Sequence, residues 1–447
     1  MSKTEKIPEA YVGTTMFMIR EILGTKNIVI KDVSEKVSIR SCRTLLSIFE
    51  SAEDTRMKGK IVYKLNEIIL MAFLAAFAGA DNNAETVTFW AKHLKLYKKI
   101  FKKVQIPSHD TFGRVLGIVK TTEMNGLVAD ILLTADKNLR KALNLPAVKA
   151  RHLSVDGKEL NGTGRINTSK GEIRNLQTLN IYDNTTDTCL VTMPIEDKTN
   201  EIPVARDCLS NMCLKDTVVT ADAIHAQKKT VETIRKSRGN YVLGLKGNQP
   251  KLEAFAQGVF TEKKQKDLQD KGLYIKKEDV ARNKVEIREY FIHYLTSSQK
   301  KNEFDGWLDT KSVVFYKRTT IDKLTSVVVT HANYYITDMK DLMEIAVAIR
   351  EHWGVENRLH NGLDTVLNED SMSTSNRNAA ANRSIINKMC LALIRKIQDL
   401  KGLKGKMGKV TIRKSIGWDF EGGLREMLAL MDPLTIQKVI VLEEKAS

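Results

Sequence analysis

At 447 residues the chain has room for two to three domains of roughly 150 residues each, and 42% hydrophobic against 28% charged residues argues against a wholly disordered chain. The excess of 71 Lys and Arg over 54 Asp and Glu, a net charge of +17, favours a polyanionic partner and makes nucleic acid the first to consider. Cys42, Cys189, Cys208, Cys213 and Cys390 are odd in number and form no CxxC pair, which argues against a disulfide framework or a zinc ribbon and fits a reducing compartment.

The opening residues Met1 to Ala10 are polar with no apolar signal segment, and the strongest apolar run, Ile68 to Ala80, is too short to cross a bilayer. A soluble cytoplasmic protein with no membrane partner is expected. Residues 1–45 form an extension to which the sequence assigns no role. From Lys64 to Ala80 apolar residues recur at helical spacing and then become nearly continuous, which predicts a buried helix. Phe89 and Trp90 lead into the basic segment Lys92 to Lys103, for which a solvated helix face and a DNA contact both stand. Ile106 to Phe112 reads as a loop entering a helix, with Pro107 extended and Ser108 or Asp110 as the cap. Residues 46–148 are therefore expected to form an all-helical domain.

Near residue 150 the texture changes. Strands are predicted at His152 to Val155, Asn175 to Tyr182 and Cys189 to Met193, then a helix at Pro203 to Met212, a strand at Thr217 to Ala221, a helix at Ala226 to Ser237 and a strand at Tyr241 to Lys246. Three meandering strands followed by α-linked strands is the layout of a ribonuclease-H-like α/β fold, expected over 149–395. Asp156 is read as ending the first strand and Asp222 the fourth, so their carboxylates are expected at one open sheet edge. A charged, β-rich insertion is expected at about 251–336, with strands at Val285 to Leu295, Ser312 to Lys317 and Thr325 to Ile336. Leu342 to His360 then reads as one long helix, capped by Asp338 or Asp341. Its apolar line Ile345, Ile349, Trp353 places Glu356 on the face turned to the sheet. A basic helical segment closes the chain at 396–447.

Three converging acids suit one chemistry. Magnesium prefers hard oxygen ligands, and two ions about 3.5–4 Å apart can activate an attacking water or 3′ hydroxyl and steady the leaving oxygen. Asp222 follows the apolar strand Val218-Val219-Thr220-Ala221 directly, and Asp156 is followed by Gly157, which permits close approach, and Lys158, suited to a phosphate.

Ser154 to Lys158, Lys198 to Pro203, Thr220 to Gln227, Tyr241 to Gln249 and Arg350 to Asn357 together resemble the motifs of bacterial insertion-sequence DDE transposases. More narrowly they resemble the insertion-sequence As1 branch, which includes the H-repeat-associated proteins. The likeness runs from about Ser47 to Ile394, and Ile106 to Phe112 is similar to that family's amino-terminal associated domain. The resemblance implies a transposase that binds the terminal inverted repeats of its element and a target DNA, cleaves, and transfers strands. Asp156, Asp222 and Glu356 would then hold two Mg²⁺ or Mn²⁺ ions, with a homodimer in the DNA complex left open. The larger group's Tyr-Arg-Glu-Lys signature is matched in part, with Ile349, His352 and Leu363 at its tyrosine, arginine and lysine places. Asp364 and Glu369 rank below Glu356 as the third acid. A ribonuclease-H-like nuclease and a catalytically decayed DNA-binding derivative are the alternatives.

Around the acids, Lys158, Lys246, Asn248, Gln249, Arg350 and Arg358 are the expected DNA contacts, and His225 and His360 are expected just behind the metal ligands. The basic stretch Lys396 to Lys414 suits nonspecific phosphate contact or a flexible surface segment.

Overall fold

The computed structural model describes residues 42, 45–142, 148–167, 171–196, 199–281, 283–400, 403 and 405–431. The expected extension 1–45 therefore lies, but for Cys42 and Leu45, outside the described residues. Two compact bodies are resolved: one comprises Met1–Val148, Gly157–Lys198 and Glu356–Ser447, the other Lys149–Asp156 and Thr199–Val355. The strands are β1 (Arg151–Leu160), β2 (Arg165–Asn167), β3 (Gly171–Ile173), β4 (Leu176–Asp183), β5 (Thr188–Ile195), β6 (Thr217–Ala221), β7 (Asn240–Leu245), β8 (Tyr274–Ala281), β9 (Lys284–Tyr294), β10 (Ser312–Asp322) and β11 (Val328–Thr337).

In the first body the described residues before β1 form helices and no strand, as expected: Leu65–Phe77, Asn83–Lys92, Leu94–Phe101, His109–Leu116 and Thr121–Ala142. Leu65–Phe77 is apolar on every face and buried at every position except Glu67, as a helix apolar all round must be. Glu67 accepts from the Lys64 backbone N–H and so closes the helix start. Ser108, one of the two expected caps, accepts from the Thr111 backbone N–H. The helix Arg377–Leu400 packs against Leu65–Phe77, Thr121–Ala142, β4 and β5. Two of the polar side chains it buries meet backbone carbonyls: Asn382 donates to those of Leu116 and Val119, and Arg383 to that of Ala80.

The basic carboxyl-terminal stretch is in part an interior one. Lys396 is buried and paired with Asp136 at 3.0 Å, and buried Arg413 donates to the Ala76 and Val366 carbonyls and to Asp81. Lys396 thus serves an internal ion pair and Arg413 internal carbonyls, which removes both from the surface that the composition suggested.

The second body is built on strands in the order β1 (through Asp156), β6, β7, β11, β10, β9, β8. β1, β6 and β7 run parallel and the rest antiparallel. The expected strand at Thr217 to Ala221 falls on the observed one, and all five of its residues are buried. Its neighbours differ by a residue or two from expectation: the helices are Glu201–Ser210, capped by Asn200, and Lys228–Lys236, and β7 is Asn240–Leu245. The β-rich insertion is not a separate layer, because β11 pairs with β7 in the register Ile336 with Leu243 and so prolongs the same sheet. It also opens with two helices, Pro250–Val259 and Glu262–Asp270, and contains β8, which its charged sequence hides. β8 is an edge strand, and charge on an edge blocks further pairing. Tyr290, Ile292, Val314, Tyr316 and Tyr335 from these strands pack with Ile345 and Ile349 of the helix Leu342–His352.

That helix corrects a sequence expectation. Asp341, not Asp338, caps it, accepting from the Met343 and Glu344 N–H groups. It ends at His352 with Trp353 as its carboxyl cap, and Val355–His360 form a wider π-helical turn before a further helix at Asn361–Leu367. A π turn closes its hydrogen bonds over five residues and departs from the 3.6-residue spacing of an α-helix. The three-residue step from Trp353 therefore no longer sets the direction of Glu356.

Candidate active site

Asp156 does not end its strand as expected, since β1 continues to Leu160. Asp222 does follow β6 directly. β1 and β6 are paired in parallel with Ser154 opposite Thr220 and Val155 opposite Ala221, so Asp156 and Asp222 are the next residue on each chain. Paired strands lie about 4.8 Å apart, and residues two apart on a strand share a face. Ser154 Oγ and Thr220 Oγ1 meet across the pair at 3.1 Å, which marks the face that Asp156 and Asp222 continue.

Around Asp222 the second body supplies positive charge and hydrogen-bond donors. His352 Nε2 is 3.4 Å from Asp222 Oδ1. That hydrogen bond, with the nearby positive charge of Lys246, holds the Asp222 carboxyl below its ordinary range against the opposing effect of burial. Lys246 and Arg350 are exposed. Asn248 and Gln249 brace the turn behind Asp222, donating to the carbonyls of Ala223 and, at 2.9 Å, Ala226. His225 is fully buried, with Nε2 3.5 Å from Glu201 Oε2, so it packs beneath this turn.

In the first body Glu356 is exposed and lies in the π-helical turn, one residue past its start. His360 does not share its surroundings: it is partly buried beside Asn180, whose Nδ2 is 3.4 Å from His360 Nε2. Burial, with the charges of Lys388 and Lys158, pushes its imidazole down to about 3. Lys158 and Arg358 are both engaged. Lys158 is paired with Asp364 and Asp370, and Arg358 lies 3.3 Å from Asp187, donates to Asn184 Oδ1 and sits over the Tyr182 ring. Glu369 is fully buried, and burial raises its carboxyl despite the nearby charges of Lys388 and Lys158.

Among the described residues no three His, Cys, Asp or Glu side chains are grouped so as to hold a metal ion. Sequence reasoning placed His352 only as a mismatch to a signature and overlooked Thr220 and Ser154. The available signal was a hydroxyl at the same depth of two apolar strands, Leu-Ser-Val and Val-Thr-Ala.

A family model described as "Transposase DDE domain" matches residues 148–393, more than half of the chain, and one described as "DDE_Tnp_1-associated" matches residues 46–130. The chain belongs to the DDE transposase family. Among its relatives, "Putative transposase YncI" of Escherichia coli O157:H7 is 29% identical over 83% of this chain and 93% of its own length. "H repeat-associated putative transposase YhhI" of Escherichia coli K12 is 26% identical over 81% and 93%. A solved piggyBac transposase in a synaptic complex with hairpin DNA aligns over 92% of this DDE transposase and 81% of its own chain, at 10% identity and a TM-score of 0.36. No helix among the described residues is long and apolar enough to cross a membrane.

Proposed function

We propose that this DDE transposase binds the terminal inverted repeats of an insertion sequence, cuts the DNA at the element end and joins the exposed 3′ end to a target. Asp156, Asp222 and Glu356 are its three acids, in a ribonuclease-H-like domain at 149–395 that follows a DNA-contacting helical domain at 46–148. The observation that carries the reading is that Asp156 and Asp222 directly follow Val155 and Ala221, the last residues paired between β1 and β6. Their carboxylates are the hard oxygen donors that Mg²⁺ or Mn²⁺ selects. Glu356 is the third donor by motif and is exposed, whereas Asp364 is held by Lys158 and Glu369 is buried. Two bound ions would supply a deprotonated nucleophile and a neutralised leaving oxygen.

The chain's own residues do the rest. Asp156 and Asp222 present oxygens from a rigid strand pair, and Lys246 and Arg350, exposed and cationic, attract the phosphate backbone that must pass there. In cleavage a water oxygen bonds to phosphorus while the bond to the 3′ oxygen breaks and that oxygen leaves as a hydroxyl. In joining, that 3′ hydroxyl attacks a target phosphodiester and expels the target's own 3′ oxygen, so the number of phosphodiester bonds is conserved. The cytoplasm is the compartment proposed, and a homodimer the DNA-bound assembly.

The test supplies a DNA fragment bearing the cognate element end, a target plasmid and Mg²⁺ or Mn²⁺. The expected products are a nick at the end and a covalent join of the 3′ end to the plasmid. Nicked ends that never join identify a nuclease instead, and binding without metal-dependent cutting identifies an inactive DNA-binding derivative. Ca²⁺ should support binding with little chemistry, because its larger and looser shell fits the reaction poorly.

A further inference from the structure

Four side chains from three elements of the second body form one line of hydrogen bonds that ends on Asp222. Ser154 Oγ on β1 and Thr220 Oγ1 on β6 are 3.1 Å apart, Thr220 Oγ1 is 3.1 Å from His352 Nδ1, and His352 Nε2 is 3.4 Å from Asp222 Oδ1. Ser154 and Thr220 are buried, while the Asp222 side chain is 62% exposed. His352 ends a helix whose Ile345 and Ile349 are locked into the core of this body, so the ring approaches from a fixed support.

The direction of each bond follows from what each group can do. An ionised carboxylate only accepts, so His352 Nε2 must carry a hydrogen. A neutral ring then has a bare Nδ1, and the Thr220 hydroxyl is placed to donate to it. The same hydroxyl lies 3.2 Å from the Leu153 carbonyl, but it has one hydrogen, and a bare ring nitrogen is the stronger claimant. Thr220 Oγ1 in turn accepts from Ser154.

We propose that His352 is a positioning residue for Asp222: Thr220 fixes its Nε2–H tautomer, and that N–H pins Asp222 Oδ1 so that the carboxylate is set in advance to take a divalent cation through Oδ2. This rests on the metal-site reading of Asp222 above. Fixing the carboxylate before binding removes a rotational cost from the ion's affinity, and partners of this kind behind a metal ligand change affinity or activity by about 10- to 100-fold when lost. In this chain a histidine takes the place that the wider group's signature gives to arginine. Its role is exerted on the acid and leaves the charge on DNA to Lys246 and Arg350.

Two measurements on the full chain test this. In protein labelled with ¹⁵N-histidine, the resonances missing from His352→Phe identify this ring among the eight histidines. They should report hydrogen on Nε2 and an accepting Nδ1; the accepting signature should shift in Thr220→Val and return in Thr220→Ser. Separately, Mn²⁺ titration followed by electron paramagnetic resonance, without DNA, should show half-saturation raised about 10- to 100-fold in His352→Phe and recovered in part by His352→Gln, which keeps a donor. A ring bare at Nε2, or unchanged Mn²⁺ affinity in a folded His352→Phe, overturns the proposal and leaves the transposase reading standing. If the unaltered chain binds no Mn²⁺, the metal-site reading itself fails, and the positioning role fails with it whatever the tautomer.

Discussion

Lys158 reaches both carboxylate oxygens of Asp364, at 2.7 and 2.9 Å, and an oxygen of Asp370 at 3.3 Å, from a side chain only 7% exposed. Burial alone would lower its ammonium, but the hydrogen bond to Asp364 and the charges of Glu369, Asp364 and Asp370 outweigh it and raise it. Within the first body this lysine ties β1 to the segment around Asp370. The same segment closes on Gly162, where any Cβ would meet the Met372 and Asp370 carbonyl oxygens. Lys158→Gln should therefore lose about 1–3 kcal/mol of stability, since Asp364 and Asp370 are left facing each other without their shared donor. Urea unfolding of the two proteins checks it, and an unchanged midpoint would show that the pairing contributes nothing.

DNA affinity separates the cations by their engagement. Lys246 and Arg350 are exposed, while Lys158 is held by acids and Arg358 by Asp187 and Asn184. In binding assays over a range of salt, Lys246→Gln and Arg350→Gln should each weaken binding and reduce the slope of log affinity against log salt by about 0.9, one phosphate contact apiece. Lys158→Gln, measured where it is folded, should leave the slope unmoved. An equal loss for all three would mean that DNA binding frees Lys158 from its carboxylates.

The carboxylates predict a different pattern. Asp156→Asn, Asp222→Asn and Glu356→Gln each remove charge at nearly constant volume, so cleavage should fall by about a thousandfold or more while DNA affinity at fixed salt persists. Near-normal cutting by Glu356→Gln would return the third place to Asp364 or Glu369.

Those acids differ in how far the sequence announced them. The strand before Asp222 is a short apolar run bounded by polar residues, and such a run has few alternatives once helices flank it. Asp156 lies inside its strand because Gly157 and Lys158 are compatible with extended backbone, and nothing local stops β1 until the 3₁₀ turn at Asn161–Thr163. The break after His352 did leave a mark, Gly354 directly after the cap Trp353 with Arg350 and His352 in the last turn, but the apolar line Ile345, Ile349, Trp353 ran across it. β8 was hidden for the opposite reason: the charges of Lys276, Lys277, Glu278 and Asp279 suit an exposed edge strand and look like a loop in sequence. The inward turn of Lys396 and Arg413 was equally invisible, because only their distant partners Asp136 and Asp81 distinguish them from surface cations.

Acid should act on the partly buried His360 of the first body. His360 is held neutral down to about pH 3 by burial and by the charges of Lys388 and Lys158, whereas in the unfolded chain it takes up a proton near its ordinary value of 6.5. Between those values the unfolded state binds a proton that the folded state refuses, so stability falls as pH falls. The slope contributed by this one group approaches about 1.4 kcal/mol per pH unit. Above pH 6.5 both states are neutral at this position and the contribution vanishes. His360→Gln keeps an acceptor for the Asn180 amide, 3.4 Å from the native ring nitrogen, and cannot titrate. Urea unfolding at pH 7.5 and pH 5.5 should therefore show a larger drop in midpoint for the native chain than for His360→Gln. Equal drops in the two proteins would assign the acid sensitivity to other groups and show that the His360 pocket admits the charged ring.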